Sequence, residues 1–81
     1  MDSKTTTLYD VEEFNTAFVE TVLREVESAL KEKGYDPINQ LTGYLMSGDP
    51  GYISSHKDAR KKITSIERSK IIEALLRNGL K

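Results

Sequence analysis

The chain has 81 residues, of which 37% are hydrophobic and 31% charged, and its formal net charge at pH 7 is −1. A chain of this length forms one domain with a small core, and self-association is a common way to enlarge the buried area. The absence of cysteine excludes a disulfide framework, a thiolate nucleophile and cysteine-ligated zinc. No apolar run is long enough to cross a membrane and none resembles a signal peptide, so we expect a cytoplasmic protein without membrane insertion.

Charge is unevenly distributed along the chain. Residues 1–36 contain nine acidic and four basic residues, and residues 37–81 contain four acidic and eight basic residues, so the two parts carry net charges of −5 and +4. This split indicates two charged faces that meet each other or meet different partners. It is equally typical of solvated helix surfaces that merely differ in sign.

Residues 1–10 show no sustained periodicity and contain three consecutive threonines, Thr5, Thr6 and Thr7. A series of β-branched residues disfavours a helix, and chain ends are commonly disordered. We therefore expect a flexible N-terminal tail, followed by a helical domain in residues 11–81. The tail is either a plain disordered end or an accessible kinase substrate.

The clearest helical pattern runs from Val11 to Lys33, where an apolar side chain recurs at every fourth position. Asp10 and Glu13 resemble a capping box at its start, and Gly34 is the left-handed residue expected after its end. The apolar stripe consists of Phe14, Phe18, Val22, Val26 and Leu30. Such a stripe predicts burial in the core or in a dimer interface.

Two Asp-Pro pairs mark the next two helical starts. Asp36–Pro37 predicts an N-cap followed by the first helical residue, and Gly48 predicts the end of this second helix. Asp49–Pro50 repeats the pattern, but the glycine after it allows only a turn or a short helix through Ile53. The predicted buried face of the second helix consists of Ile38, Leu41, Leu45 and Met46.

Two further helices complete the chain. Ser55 with Asp58 predicts a capping box that opens a helix to about Ser65, and Ser69 predicts the cap of the last helix. The residues expected to face inward are Ala59, Ile63 and Ile66, and then Ile71, Ile72, Leu75, Leu76 and Leu80. The predicted fold is all-α, a compact bundle of about five short helices with a flexible N-terminal tail. Its apolar stripes exceed what one small core can cover, so we expect self-association through the stripes of the first and last helices.

Few residues of this sequence can carry chemistry. A single histidine, His56, no cysteine and no phosphate-binding glycine motif predict neither an active site nor a metal or cofactor site. Nucleic-acid binding by a small dimer is the alternative function, because two short helices followed by the basic stretch of residues 56–70 resemble a helix-turn-helix. The acidic first half argues against it. The cations that would contact phosphates are Lys57, Arg60, Lys61, Lys62, Arg68 and Lys70.

Three sequence blocks, EKGYDPINQ, GYLMSGDPGYI and HKDAR, followed by IERSKIIEALLRNGLK, resemble the IreB/ReoM family of Gram-positive bacteria. The resemblance covers residues 32–81, and the layout of the first helix and tail is similar. It implies a cytoplasmic, non-enzymatic regulatory phosphoprotein that is helical and homodimeric. It also implies phosphorylation by a membrane PASTA-domain Ser/Thr kinase and reversal by the partner phosphatase. The process implied is control of cell-wall synthesis and antibiotic tolerance, in part through regulated proteolysis of a peptidoglycan-precursor enzyme.

The resemblance places the phosphoacceptor at Thr7, directly before the pair Leu8–Tyr9. Thr5 and Thr6 are alternative acceptors, because Thr5 stands where family members often carry an acid. The family's proline and cation before the histidine are replaced here by Ser54 and Ser55. These departures affect contacts with partners and leave the expected fold unchanged.

A phosphate on Thr7 would add about −1.5 to −2 charges to an already acidic segment. We expect the modified tail either to dock on His56, Lys57, Arg60 and Lys61, here called the cationic face, or to repel an acidic partner. The unmodified form is expected to be the active inhibitor, and phosphorylation to relieve inhibition.

Overall fold

The computed structural model describes the backbone of residues 3–80 and the side chains of residues 15–80. This part of the chain contains four α-helices and two short 3-10 helices and no β-strand. In chain order they are α1 (Ser3–Glu32), α2 (Pro37–Ser47), η1 (Pro50–Tyr52), η2 (His56–Asp58), α3 (Ala59–Thr64) and α4 (Arg68–Gly79). The all-α prediction is confirmed, with four α-helices and two 3-10 helices in place of about five helical segments.

Helix α1 begins at Ser3, eight residues before the predicted start at Val11. Asp10 therefore lies inside the helix, and the capping box predicted there is wrong. Adding a residue to an existing helix needs no new nucleation, so residues of modest helix propensity can extend it. The side chains of Thr5, Thr6 and Thr7 lie outside the described residues. Their modification, and the division of the chain after residue 10, stay predictions.

Glycines end the first two helices as predicted. Gly34 has a φ of +88°, and the N–H of Tyr35 donates to the carbonyl of Leu30 at 2.9 Å, which is the Schellman closure of α1. Gly48 has a φ of +77° and donates its N–H to the carbonyl of Tyr44 at 2.7 Å. Both positions require the left-handed backbone that glycine adopts without strain.

Both Asp-Pro starts are confirmed. The Asp36 carboxylate accepts a hydrogen bond from the N–H of Ile38 at 3.0 Å, which caps α2. The Asp49 carboxylate accepts one from the N–H of Gly51 at 2.9 Å, which caps the single turn of η1. In each case the proline after the aspartate occupies a position whose N–H would have no helical partner.

The two serine caps are wrong. Ser55 makes no side-chain cap, because the residues after it form η2 and α3 starts only at Ala59. Ser69 lies inside α4, which begins at Arg68 with Glu67 in the N-cap position and without a side-chain cap bond.

The core is built on α1. Among residues 15–80, this helix supplies six of the thirteen buried hydrophobic residues, Val19, Val22, Leu23, Val26, Ala29 and Leu30. The other α-helices and two connections supply Tyr44, Ile53, Ala59, Ile63, Ile66, Ile71 and Ala74. Each later α-helix therefore contributes one or two of these side chains to the surface that α1 presents, whereas η1 and η2 contribute none.

Several residues predicted to be buried are exposed. Ile38 is 72% and Met46 82% exposed, because α2 turns Pro37 and Tyr44 inward instead and buries Leu41 only in part. The other exposed members of the predicted stripes are Phe18, Ile72, Leu75, Leu76 and Leu80. The core is too small to receive every apolar residue of a short helix. Within residues 3–80, no helix has the length and apolar character needed to span a membrane.

Candidate interaction site

The structure divides the cationic face into two pairs. His56 and Lys57 belong to η2 and contact the end of α1. Arg60 and Lys61 belong to the first turn of α3. The four residues are therefore adjacent in space, but the two pairs have different neighbours.

His56 and Lys57 share one carboxylate, that of Glu32 in the last turn of α1. The His56 Nε2 lies 2.6 Å from Glu32 Oε1, and the Lys57 Nζ donates to Glu32 Oε2 at 3.0 Å. We call this three-residue contact the Glu32 clamp. Hydrogen bonds from His56 first, and then from Lys57, hold the pKa of Glu32 below its ordinary value of 4.5.

The position of Glu32 in its helix explains why two donors converge on it. A negative charge in the last turn of a helix is unfavourable with the helix dipole. A basic residue in that turn, Lys31, instead pairs with Glu27 at 3.2 Å on the same helix. The charge of Glu32 is therefore balanced from outside α1, by His56 and Lys57.

The backbone beneath the Glu32 clamp is strained. Lys57 has φ and ψ of 50° and 37°, and Asp58 has 62° and 22°. Both angles lie in the left-handed region, which costs a residue with a side chain roughly 1–2 kcal/mol. Two such residues in succession reverse the chain direction and begin α3. Strain of this kind persists only where surrounding contacts fix the backbone.

Arg60 is an anchor within the fold. Its Nε donates to the carbonyl of Ile53 at 2.8 Å, and its backbone N–H donates to the carbonyl of Ser54 at 3.1 Å. Ile53 is fully buried, so Arg60 satisfies a carbonyl beside the core. Its terminal guanidinium nitrogens are the atoms left to face a partner.

Lys61 differs from the other three cations. Its carbonyl accepts a hydrogen bond from the Thr64 hydroxyl at 3.2 Å, but its ammonium group bonds no residue of the part of the chain described with side chains. It lies along a shallow groove beside Pro50, Asp58 and Thr64. Of the four predicted residues, Lys61 carries the charge least compensated by its own chain.

The cations of the nucleic-acid alternative are largely engaged within the fold. Lys62 lies 3.4 Å from a carboxylate oxygen of Glu25 on α1. The Arg68 Nη1 donates to the carbonyl of Leu45 at 3.0 Å. With Lys57 and Arg60 bonded as described above, two of the six cations have no partner among residues 15–80, Lys61 and Lys70. The basic stretch therefore offers a phosphate backbone mainly Lys61, Lys70 and the terminal nitrogens of Arg60.

Two residues of the site were not identified from sequence. Glu32 was counted only as one acid of the first half, and Arg68 only as a cation. The sequence did offer one signal for Glu32, because a negative charge near the C-terminal end of a predicted helix is unfavourable with the helix dipole. Among residues 15–80, no group of three or more His, Cys, Asp or Glu side chains is arranged to hold a metal ion.

A comparison with protein-family models gives the family. The model described as IreB regulatory phosphoprotein matches residues 4–81. The chain belongs to the IreB family. The resemblance found in the sequence blocks is confirmed, and the IreB match extends it through α1 to include Thr5, Thr6 and Thr7. The chain is accordingly a regulatory phosphoprotein, and both the tail threonines and the cationic face lie inside the matched region.

Proposed function

We propose that this IreB-family chain is a non-enzymatic, cytoplasmic regulator of cell-wall synthesis. A PASTA-domain Ser/Thr kinase phosphorylates Thr7, and the partner phosphatase reverses the modification. The phosphorylation state sets binding to a regulatory or proteolytic partner protein, and through it peptidoglycan synthesis and antibiotic tolerance. The observation that carries the proposal is the family match over residues 4–81, which includes all three tail threonines.

The proposed switch acts through charge. Phosphate on Thr7 adds about −1.5 to −2 charges and three strong acceptor oxygens. Lys61 and the terminal nitrogens of Arg60 are the best candidates to attract it, because His56 and Lys57 already share the Glu32 carboxylate. A switch of this type changes partner affinity by roughly 5- to 150-fold.

The proposed direction is relief of inhibition. The unmodified chain presents Lys61 and Arg60 to an acidic partner surface and holds that partner in the inhibitory complex. A phosphorylated tail either covers these cations or repels the partner directly. Thr7 lies in α1 about 25 residues before Glu32, roughly 37 Å along the helix, so the first route requires the start of α1 to unwind or a second copy to supply the tail. Both routes weaken the complex, so they predict the same response to the kinase.

Exposed apolar residues support a homodimer. Leu75, Leu76 and Leu80 on α4 and Phe18 on α1 remain on the surface of a single chain. The stripes on α1 and α4 are the proposed dimer interface. Burying them in a second copy would add the area that a core of this size lacks.

The deciding experiment is phosphorylation of the purified chain. We expect a purified PASTA-domain kinase with ATP to add one phosphate, located at Thr7 by mass spectrometry of the tail peptide. Thr7→Ala should abolish the modification and keep the chain in the inhibitory form. The matched controls are Thr5→Ala and Thr6→Ala, which should still be phosphorylated at Thr7. Modification of the Thr7→Ala chain would move the site to Thr5 or Thr6, and no modification of the unaltered chain would refute the proposal.

A further inference from the structure

The left-handed turn at the start of α3 is not explained by its own residues. Aspartate adopts this backbone occasionally, but Lys57 is not glycine, asparagine or aspartate, the residues that adopt it most readily. Asp58 makes no side-chain cap for α3. Both residues are exposed, so packing of their side chains does not hold the turn either.

Contacts from two sides enclose this turn. On the inner side, Ala59 is fully buried and the Arg60 N–H donates to the Ser54 carbonyl. On the outer side, His56 and Lys57 reach Glu32, which lies 24 and 25 residues earlier in the chain. The inner contacts position α3 against the core. The strained residues themselves make two contacts: the Asp58 N–H donates to the Ser55 carbonyl at 3.0 Å, and the Lys57 side chain joins the Glu32 clamp.

We infer that Glu32 is a positioning residue whose carboxylate holds the left-handed turn of Lys57 and Asp58 closed. Without this carboxylate the turn relaxes and the first turn of α3 opens locally, while Ile63 and the rest of the core stay packed. The Glu32 clamp thereby fixes the backbone from which Arg60 and Lys61 project. This effect of the Glu32 clamp is a property of the isolated chain and does not depend on a kinase or a partner.

Among the charged residues near Glu32, His56 and Lys57 are the ones that bond its carboxylate. The cleft beside Glu32 is also bordered by Lys62 from α3 and by Arg24 and Glu25 from α1. Lys62 pairs with Glu25, and only His56 and Lys57 bond Glu32 among the described residues. Loss of the Glu32 clamp would therefore free Lys57 and the His56 ring at once beside Arg60 and Lys61.

Amide hydrogen exchange of the full chain, followed residue by residue by NMR, tests whether the Glu32 carboxylate holds the turn closed. Glu32→Gln keeps the size of the side chain but removes the charge and one of the two acceptor oxygens. We expect the amides of Asp58, Ala59 and Arg60 to exchange about tenfold faster in this variant, through local opening. Amides in the middle of α1 and α2 should keep their rates.

Glu27→Gln is the matched control. Glu27 lies on the same helix and bonds Lys31 of its own helix, so this variant should leave the exchange of residues 58–60 unchanged. Equal acceleration by both variants would overturn the inference, as would unchanged rates in Glu32→Gln. Faster exchange throughout the Glu32→Gln chain would also overturn it, because the clamp would then support the whole fold.

A rescue variant separates release of the turn from other effects of losing the charge. Glycine adopts the left-handed backbone without a steric penalty, so Lys57→Gly together with Asp58→Gly should hold the turn without help from Glu32. We expect Glu32→Gln combined with these two glycine substitutions to restore slow exchange at Ala59 and Arg60 to within about twofold of the unaltered chain. Failure of this rescue would show that backbone strain is not what the clamp controls.

Discussion

Glu32 is the residue through which acid should act on this fold. Its folded-state pKa lies below the ordinary value of 4.5, so its ionised form contributes stability above about pH 4.5. That contribution is lost as the pH falls through the lower folded-state pKa. The two donors, His56 and Lys57, bring about this shift.

We predict that Ala59 and Arg60 are better protected from amide exchange in the unaltered chain than in Glu32→Gln at pH 7, and that this difference in protection narrows as the pH falls below 4.5. Protonated glutamate and glutamine are both neutral, so the two chains become alike in acid. Amide exchange of both chains at a series of pH values, followed by NMR, measures the difference. A difference in protection that does not narrow in acid would contradict the prediction.

At the residue scale, the sequence identified the four cations but not what they contact. His56, Lys57, Arg60 and Lys61 were visible as a basic run. Their partners Glu32 and Ile53 lie 24 and 7 residues away from His56 and Arg60, and neither partner belongs to the same helix as the residue that bonds it. Contacts of this kind depend on how the elements pack, so only the three-dimensional fold shows them.

At the scale of the elements, the close contact between α2 and η1 depends on one glycine. The ring of Tyr52 packs directly over Gly43, and a Cβ at this position would overlap ring atoms. Gly43 lies in the middle of α2 with ordinary helical backbone, so the glycine is needed for space and not for conformation. A close approach between elements leaves no local signal in the sequence, so this role of Gly43 could not be predicted.

We predict that Gly43→Ala destabilises the chain by about 1–3 kcal/mol, as expected when a packed contact is overfilled. Gly79→Ala is the control, because nothing lies within 4 Å of a Cβ at that position, and alanine there should be neutral or stabilising by up to about 1 kcal/mol. Urea unfolding of both variants measures the effect. Equal stability of the two variants would show that Tyr52 moves aside freely.

Local signals predicted those element ends that local chemistry determines. The starts at Asp36 and Asp49 and the ends at Gly34 and Gly48 are all confirmed, because an aspartate cap or a left-handed glycine acts within a few residues. The serine caps failed where distant contacts decide the start. The Glu32 clamp holds the beginning of α3, and the bond from Arg68 to Leu45 lies at the beginning of α4.

At the scale of the whole molecule, the sequence predicted the fold class but not which apolar residues form the core. Helical periodicity marks every candidate stripe alike. Ile71 and Ile72 belong to the same predicted stripe, yet Ile71 is fully buried and Ile72 is 41% exposed. Only the packing around α1 determines which member of such a pair is covered.

We predict that the exposed stripe of α4 mediates self-association. Leu76→Glu should make the chain monomeric with little change in its helical circular-dichroism signal, because Leu76 is not part of the core of a single chain. Met46→Glu on α2 is the control and should leave association unchanged. Sedimentation equilibrium over a range of protein concentrations measures both. Loss of association in Met46→Glu alone would move the interface to α2.

The contact between Arg68 and the end of α2 has a consequence for how the chain folds during synthesis. Leu45 is made early, whereas the guanidinium that satisfies its carbonyl follows 23 residues later. The side chains of Ile71 and Ala74, which complete the hydrophobic interior, follow later still. The ribosome therefore synthesises α1 and α2 before α4, which supplies Arg68, Ile71 and Ala74. Newly made protein becomes fully folded only after its final helix has left the ribosome.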